Sequence, residues 1–380
     1  MRILHTADWH LGSSLGGFDR TEEQFGQVEK VLRLARTHQV DLLLVAGDLF
    51  ERSRRLPELT KRLANLLRED VEAGLHVLLL PGNHDNREQF RMMHALLALD
   101  GAQEQRVHVA DGNVTFDIDG VQFVIVPYPI RELLEAPGLT HSSPEARSRT
   151  ISARYAELIQ ELTGALDPGR PSVLVAHVTI AGVTTPLDYE INDDRELRLG
   201  RDDLPSNLSY IALGHIHQQQ QIDHSVPCWY SGSIERLNMG ERADQKGVLL
   251  VDLPPHGPAQ VLPYRLEATP FLDLHLKSSD VASLAARFPN LARAFVRVEV
   301  ECEPGDEPLK VQREIKQICP RLLDLNVKAM QAEESGPIEV AGFAETALAY
   351  LDRQFAADHD LVELRAKATE LIKEVENASA

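Results

Sequence analysis

Five short polar motifs contain the side chains needed to bind metal ions and to cleave a phosphate ester. They combine carboxylates, imidazoles and an amide, which are common protein ligands of divalent metals. In chain order the motifs are Asp8-Trp9-His10, Gly47-Asp48, Gly82-Asn83-His84-Asp85, His177 and Gly214-His215-Ile216-His217. A single Asp-x-His or Gly-Asp is a weak signal, because such pairs also occur by chance and in turns. All five together predict a two-metal phosphoesterase site.

The predicted chemistry depends on two ions held close together. Phosphodiester cleavage requires a nucleophilic hydroxide and positive charge at the phosphoryl oxygens, and two divalent ions about 3.5–4 Å apart can supply both. Asp48 is the best candidate for a bridging carboxylate, because Gly47 lets the backbone approach the ions. The other candidate ligands divide into Asp8, His10 and one histidine of the last motif for one ion, and Asn83, His177 and the other histidine for the second. This mixed oxygen and nitrogen set favours manganese, iron or zinc over magnesium or calcium.

His84 has a different predicted role, because the other residues can complete both ions without it. It can donate to the phosphate or the leaving group as an electrostatic stabiliser or general acid. Its neighbour Asp85 can orient the imidazole and keep it protonated, as a carboxylate does in a catalytic triad. We therefore predict that His84 is catalytic and that Asp85 is its partner.

Buried strands are predicted to position all five motifs. Each motif follows an apolar run, and the first hundred residues alternate strand and helix, with helices predicted over Thr21–Thr37, Pro57–Ala73 and Arg87–Leu99. This order predicts parallel strands, whose carboxyl ends converge on one crevice. Further strands and a helix from Pro144 to Thr163 follow. The predicted fold is an α/β sandwich of two sheets flanked by helices.

Three segments are predicted along the chain. Residues 1–265 form the phosphoesterase domain, and residues 266–332 form a small α+β module with strands at Phe271–Lys277, Ala294–Glu301 and Leu325–Met330 and a helix at Pro308–Ile318. Residues 333–380 form a linker and C-terminal helices. The last helix has an apolar seam suited to a partner helix, formed by Leu361, Leu364, Ala368, Leu371 and Val375.

Charge and cysteine content limit the functional classes. The formal net charge of −19 argues against a general nucleic-acid coat protein, so any DNA contact needs a local basic patch, the metal ions or a partner. Arg52, Arg54 and Arg55 follow the Asp48 motif and are either such a patch or a plain solvated run. The three cysteines form no CxxC, and the sequence contains no apolar run near ~20 residues and no signal peptide. We therefore expect a cytoplasmic protein without membrane contact.

The motifs resemble those of the calcineurin-like metallophosphoesterases. More closely, residues 1–12 (MRILHTADWHLG) and Tyr230-Ser231-Gly232-Ser233 resemble the SbcD family, the nuclease subunits of bacterial SbcCD double-strand-break-repair complexes. The resemblance extends to about residue 265. It implies that 266–332 is a capping domain and that the C-terminal helices bind an SbcC-type, SMC-like ATPase.

The same resemblance implies a specific activity and ligand set. One manganese ion would be bound by Asp8, His10, Asp48 and His217, and the other by Asp48, Asn83, His177 and His215, with His84 catalytic and Asp85 beside it. The implied activities are 3′→5′ exonuclease on duplex DNA and endonuclease on single strands and hairpins. The implied assembly is a homodimer, formed through helices of the core, within a heterotetramer with the ATPase.

One departure and two competing functions remain open. Some branches of the family have a histidine three residues after the bridging aspartate, where this chain has Glu51, and this leaves the role of that position in doubt. The same site could serve a phosphodiesterase or phosphatase acting on a small molecule or phosphoprotein, which the acidic charge favours. A non-enzymatic scaffold is disfavoured, because a scaffold has no need of a full ligand set.

Overall fold

The structure is a computed structural model of the whole chain, and it describes residues 1–52, 55–97, 105–128, 143–185, 198–329, 348, 350–352 and 361–378. Met1–Lys328 form one compact unit and Ala329–Ala380 form a second. The described residues contain nineteen strands and seven α-helices in these two units.

The strands are β1 (Arg2–Thr6), β2 (Ser14–Leu15), β3 (Phe18–Asp19), β4 (Leu42–Ala46), β5 (His76–Leu80), β6 (Val107–Val109), β7 (Val114–Ile118), β8 (Val121–Val126), β9 (Ser172–His177), β10 (Thr179–Ile180), β11 (Arg198–Leu199), β12 (Tyr210–Gly214), β13 (Gln220–Ile222), β14 (Cys228–Tyr230), β15 (Lys246–Asp252), β16 (Gln260–Leu266), β17 (Phe271–Lys277), β18 (Phe295–Cys302) and β19 (Leu322–Ala329). The helices are α1 (Thr21–Thr37), α2 (Leu56–Glu72), α3 (Arg87–Leu97), α4 (Pro144–Gly164), α5 (Leu284–Arg287), α6 (Pro308–Ile318) and α7 (Leu361–Ala378).

Two six-stranded sheets form the body of the first unit. The first sheet has the order β16-β15-β1-β4-β5-β6, and the second has the order β13-β14-β12-β9-β8-β7. The central strands of each sheet are parallel, while β15, β16, β13 and β7 join antiparallel at the edges. Parallel neighbours require helical crossovers, and the order of elements supplies them.

The two sheets pack face to face, with helices on their outer sides. Strand β4 contributes Leu42 and Leu44 to the apolar layer between the sheets, and Leu43 and Val45 to the layer under α1, α2 and α3. This alternation follows from the period of two along a strand buried on both faces. Tyr155 and other residues of α4 cover the outer face of the second sheet. The predicted α/β sandwich of two sheets flanked by helices is confirmed.

A third sheet has its own core. It has the order β17-β18-β19, and apolar side chains of its strands pack with those of α5 and α6. The bounds predicted for β17 and α6 are those observed, whereas β19 begins at Leu322 instead of Leu325. The earlier start has a packing cause, because Leu322 contacts the same core.

The second unit contains the predicted C-terminal helix as α7. The linker predicted at the start of residues 333–380 lies outside the described residues. Two seam residues, Leu364 and Leu371, are exposed at 40% and 57%. Within the described residues, no helix is both long and apolar enough to cross a membrane.

Candidate metal centre

All five predicted motifs meet at one edge of the sandwich. Asp8 and His10 follow β1, Asp48 follows β4, and the Gly82–Asp85 motif follows β5, all in the first sheet. His177 ends β9, and His215 and His217 follow β12 in the second sheet. The main chain continues the pairing past the strand ends, since Asp8 N donates to Gly47 O at 3.0 Å and His10 N donates to Asp48 O at 3.0 Å. The first sheet therefore supplies mainly oxygen donors, and the second supplies imidazoles.

Four candidate ligands have left-handed backbone conformations. The φ angles are 52° at Asp8, 45° at His10, 49° at Asp48 and 96° at His215. Such angles are uncommon for residues with a Cβ and carry a strain energy, so their concentration at one place is typical of a functional site.

Asp48 lies at the centre of the cluster and is 1% exposed. Its Oδ2 is 3.2 Å from His177 Nε2 and 3.7 Å from His10 Nε2, and its Oδ1 accepts a hydrogen bond from His84 N at 2.8 Å. Burial alone would raise the pKa of Asp48, but the imidazoles of His177, His10 and His84 hold it well below its usual value. Asp48 is therefore a carboxylate, and it faces both halves of the cluster.

The donor atoms form three overlapping groups. Within each group the donor atoms lie within 4.8 Å of one another, and the groups are Asp8-His10-His217, Asp48-His177-His215 and His10-Asp48-His84. Asn83 Oδ1 lies 3.1 Å from both His177 Nε2 and His215 Nδ1, so the amide belongs with the second group. The first two groups divide His217 from His215 in the way that the family resemblance implies.

The donor set fits divalent metal ions. The Nε2 atom of His10 is buried and has no hydrogen-bond partner among the described residues, although a buried polar atom normally has one. It points into a cluster of carboxylate, amide and imidazole donors, a set that suits manganese, iron or zinc. A cation among these atoms would satisfy His10 and offset the charges of Asp8 and Asp48.

Neighbouring groups fix the orientation of three imidazoles. His177 Nδ1 is 2.8 Å from Ala46 O, His217 Nδ1 is 2.9 Å from Glu241 Oε1, and His10 Nδ1 is 3.1 Å from Glu51 Oε2. In each case an acceptor holds Nδ1, which leaves Nε2 for a metal. Burial lowers the pKa of His177, but the Asp48 carboxylate outweighs burial and raises this pKa to about 9.

Two further carboxylates support the site. Sequence reasoning did not identify Glu241 and left the role of Glu51 open. Glu241 is fully buried, and its Oε2 forms an ion pair with Lys246 Nζ at 2.7 Å, while its Oε1 holds His217. Burial alone would raise the pKa of Glu241, but His217 and Lys246 lower it. Glu51 joins His10 to His84, because its Oε1 lies 3.0 Å from His84 Nδ1. The carboxylate at position 51 therefore orients one candidate ligand and the predicted catalytic histidine together.

The predicted partnership of Asp85 with His84 needs correction. The Asp85 carboxylate accepts hydrogen bonds from three main-chain N–H groups: Leu49 at 3.1 Å, Phe50 at 2.8 Å and Gly82 at 2.9 Å. These bonds favour the ionised form, but burial and the Asp48 charge outweigh them and raise the pKa of Asp85 to about 6. Asp85 fixes the loop that carries Asp48, and the partner of the His84 imidazole is Glu51.

Gly47 and Gly82 are required by close packing around Asp48. A Cβ on Gly47, whose φ is 98°, would strike the ring of His177. A Cβ on Gly82 would strike the carboxylate of Asp48. The site therefore needs glycine at both positions because side chains and backbone occupy the space where a Cβ would lie.

Comparisons with known proteins agree with this geometry. Residues 1–219 match the family model described as calcineurin-like phosphoesterase. The chain belongs to this family. It is also 30% identical over 279 residues to the SbcD subunit of the SbcCD nuclease of Rhodobacter capsulatus, covering 67% of this chain and 66% of the relative. The resemblance inferred from the motifs is thus confirmed.

Two further relatives are similar over the same extent. The SbcD subunits of the SbcCD nucleases of Staphylococcus epidermidis and Bacillus subtilis are each 26% identical to this chain, covering 67% of it and 66% and 67% of their own lengths. The chain thus spans about two thirds of the length of these curated relatives. Among solved structures, a dimetal phosphatase from Danio rerio aligns with a TM-score of 0.41 at 8% identity, over 70% of this chain and 99% of its own.

The arginines beside this phosphoesterase site differ in their contacts. Arg52 Nη2 donates to Asn83 O at 3.3 Å, so its guanidinium lies at the site. Arg55 is held by Asp19 at 2.8 Å and by Glu58 at 3.1 Å, so its charge is paired. Arg54 lies outside the described residues.

Proposed function

We propose that this calcineurin-like phosphoesterase is a DNA nuclease that uses two manganese ions. The proposed activities are 3′→5′ exonuclease on duplex DNA and endonuclease on single strands and hairpins, in the repair and recombination of double-strand breaks. The observation that carries the proposal is Asp48, which belongs to two donor groups and faces both halves of the cluster. The relatives, which are named as parts of the SbcCD nuclease, support DNA as the substrate.

The proposed ligand assignment follows the donor groups. Asp8, His10, Asp48 and His217 would hold one ion, and Asp48, Asn83, His177 and His215 would hold the other. When bound, the ions would supply positive charge for the phosphoryl oxygens and a nucleophile at neutral pH. Manganese suits this set because it accepts carboxylate and amide oxygens together with imidazole nitrogens.

His84 is proposed to act on the phosphate or the leaving oxygen. Its side chain is 42% exposed, whereas those of His10 and His177 are nearly fully buried, so His84 faces the opening of the site. Glu51 holds Nδ1, which leaves Nε2 to donate a hydrogen bond or a proton outward. Glu51 thereby fixes the orientation of the ring toward the opening of the site.

The remaining segments have proposed roles in the assembly. Residues 1–265 would be the nuclease domain, residues 266–332 the capping domain, and residues 333–380 the linker and helices that bind an SbcC-type ATPase. The exposed Leu364 and Leu371 of α7 suit docking to a partner helix. A homodimer within a heterotetramer completes the proposal.

Deletion of Leu361–Ala380 tests the proposed partner segment. The truncated protein should keep manganese-dependent cleavage of DNA but fail to co-purify with the ATPase, because the apolar seam would be gone. Size-exclusion chromatography with the ATPase measures binding, and circular dichroism measures folding. Loss of the folded state would mean that the helix belongs to the core.

Two observations favour a second candidate, a phosphodiesterase or phosphatase for a small molecule or phosphoprotein. The net charge of −19 and the pairing of Arg55 with acidic residues reduce attraction for a polyanion. This candidate would use the same metal centre but would have no need of the capping and C-terminal segments.

The deciding experiment compares two substrates. End-labelled duplex DNA and bis-p-nitrophenyl phosphate are incubated with the protein and manganese, alone and with the ATPase partner, beside the His84→Ala variant. Cleavage of duplex by the wild type, lost in His84→Ala, supports the nuclease. Turnover of the small diester with intact DNA under every condition would instead identify the small-molecule enzyme.

A further inference from the structure

The segment that follows β14 lies against two of the candidate metal ligands. Ser233 is buried, and its main-chain N donates to His217 O at 3.0 Å. Ser233 also pairs in a parallel bridge with Ala7, the residue before Asp8. The serine that ends the motif at residues 230–233 therefore joins the main chain at His217 to the main chain beside Asp8.

Two residues later, Glu235 binds the main chain that leads into the third sheet. Its Oε1 accepts a hydrogen bond from Thr269 N at 2.9 Å, and its Oε2 accepts one from Thr269 Oγ1 at 2.9 Å. Thr269 lies two residues before β17. The main-chain O of Glu235 accepts from Ser233 Oγ at 2.8 Å. Hydrogen bonds thus connect the start of the third sheet to Ser233.

A second set of contacts connects the third sheet to the loop after His10. Arg20 is buried, and its Cζ lies 4.9 Å from the ring centroid of Phe295 in β18 and 5.5 Å from that of Phe271 in β17. Arg20 N donates to Ser13 O at 3.2 Å, and Ser13 N donates to His10 O at 3.0 Å. The third sheet is thereby connected to the main chain of a third candidate ligand.

The two sets of contacts meet in a buried pair of opposite charges. Arg20 Nη2 lies 3.6 Å from Glu235 Oε1, and both side chains are 1% exposed. Desolvation offsets much of the attraction in such a pair, and apolar side chains of similar volume often stabilise a fold equally well. Net stability is therefore a weak reason for these two charges, and the fixed geometry of their directional bonds is a stronger one.

The candidate ligands connected in this way form one donor group, Asp8-His10-His217. In the other group, the ring of His177 is held by Ala46 O at 2.8 Å, inside the sandwich. Contact with the third sheet therefore favours one proposed ion over the other.

We propose that Arg20 and Glu235 are positioning residues that make the affinity for one of the two ions depend on the docking of the third sheet. Both residues are close-packed between the third sheet and the ligand segments, so a shift of that sheet changes the spacing of Asp8, His10 and His217. The other donor group keeps its geometry. This inference rests on the proposed assignment of two ions and names the residues that set the affinity for one of them.

The experiment measures manganese binding by isothermal titration calorimetry in two variants that each retain one ion. His177→Ala should retain the ion of the Asp8 group, and His217→Ala should retain the other. The test variant Arg20→Met/Glu235→Leu removes both buried charges together, so neither is left unpaired. Added to His177→Ala, it should weaken manganese binding by about 10-fold, the lower end of the cost typical for groups behind a ligand. Added to His217→Ala, it should leave the affinity unchanged.

A milder variant covers the case in which the test variant fails to fold. Thr269→Val removes one hydrogen bond to Glu235 and keeps both buried charges. In the His177→Ala background it should weaken manganese binding by a smaller factor, again without effect in His217→Ala. Circular dichroism and urea unfolding with a chelator measure the folding of every variant.

The matched control removes an ion pair at the opposite edge of the first sheet. Arg36 Nη2 lies 2.8 Å from Asp70 Oδ2, between α1 and α2. His38, two residues after Arg36, accepts through its O from Arg2 Nη1 at the start of β1. Arg36→Met/Asp70→Asn should leave manganese affinity unchanged in both backgrounds.

Two results would overturn the positioning role. One is an unchanged affinity in the His177→Ala background for every folded variant of the third-sheet contacts. The other is an equal loss in both backgrounds, which would indicate general loss of structure. A wild-type protein that binds a single manganese ion would instead contradict the two-ion assignment, and the positioning role would fail with it. Failure of the nuclease proposal is a separate outcome, in which both ions bind as expected but no DNA is cut.

Discussion

Two sets of buried histidines in the sandwich have opposite electrostatic surroundings. His177, at the carboxyl edge, is fully buried, yet the neighbouring Asp48 raises its pKa to about 9. His5, inside the sandwich, is equally buried, and burial lowers its pKa to about 3. At the far end of the sheet, burial and then the charge of His76 lower the pKa of His108 to about 4.

This difference separates the proposed ligand histidines from His5 and His108. A carboxylate faces each of His10, His177 and His217, whereas the ring of His5 bonds to the neutral hydroxyl of Tyr210 at 2.8 Å. Burial alone disfavours a charged ring, and a carboxylate reverses that effect. Carboxylates in the same place also attract metal ions. The charged groups next to a buried histidine therefore indicate its function better than its degree of burial does.

The largest effect is expected from Asp48→Ala. Because Asp48 lies beside candidate ligands of both proposed ions, His10 on one side and His177 on the other, this variant should lose both ions together. Cleavage should fall by about 10⁴-fold or more, since the ions supply several kcal/mol of charge stabilisation. Metal content by mass spectrometry and initial rates check this expectation. One ion retained at full occupancy would show that Asp48 does not bridge.

His84→Ala is expected to have a smaller effect on the rate and none on metal content. Loss of a general acid typically reduces the rate by roughly 10²- to 10⁴-fold. His84 lies near His10 and Asp48, so the metal analysis also decides whether it is a ligand. An empty site in this variant would place His84 with the ligand histidines and contradict its assignment.

Glu51→Gln and Glu241→Gln test the carboxylates behind the rings. Loss of such a partner typically costs 10- to 100-fold in metal affinity or activity. Glu51→Gln should lower kcat as well as affinity because Glu51 also holds His84, whereas Glu241→Gln should affect metal affinity alone. Metal titrations paired with rates at saturating metal distinguish the two variants. If Glu51→Gln and Glu241→Gln changed kcat and metal affinity equally, Glu51 would have no separate role in holding His84.

The smallest effect is expected from His5→Gln, and only on stability in acid. The unfolded chain takes up a proton at His5 near pH 6.5, whereas the folded chain takes it up near pH 3. The contribution of neutral His5 to stability is therefore complete above pH 6.5 and is lost as pH falls toward 3. The free energy of unfolding should be lower at pH 5 than above pH 6.5 by about 2 kcal/mol. Urea unfolding at pH 5 and 7.5 with a chelator should show a flatter pH dependence in the variant. An identical dependence would mean that the pKa of His5 is the same in the folded and the unfolded chain.

Sequence patterns predict the position of a candidate ligand where that residue directly follows its own strand. His177 ends an apolar run, and Asp48 comes two residues after one, so the strand pattern also places the ligand. Glu241 has no such signal, because it reaches His217 from a segment 24 residues later in the chain. The partnership assumed for Asp85 was wrong because sequence adjacency to His84 was taken for contact, whereas the turn directs its carboxylate under Leu49 and Phe50.

The helices and sheets were predictable for a similar reason. The bounds predicted for Thr21–Thr37 and Phe271–Lys277 are those observed, since periodicity and flanking turn residues are local signals. The order of strands in each sheet is not a local property, because it depends on which distant strands pair. The antiparallel return of β15 beside β1 joins residues about 250 positions apart, and no local pattern indicates it.

The bond from His177 Nδ1 to Ala46 O joins one sheet of the sandwich to the other. The proposed ligands are divided in the same way, so bound ions would add cross-links between two layers that already adhere through apolar contact and through hydrogen bonds such as that from His215 N to Asp8 Oδ1. Metal binding would then stabilise the contact between the two sheets at their carboxyl edge. Loss of the ions would allow the sheets to separate there. Hydrogen exchange of the main-chain amides at the carboxyl ends of β4 and β9 would be slow with the ions bound and faster after their removal.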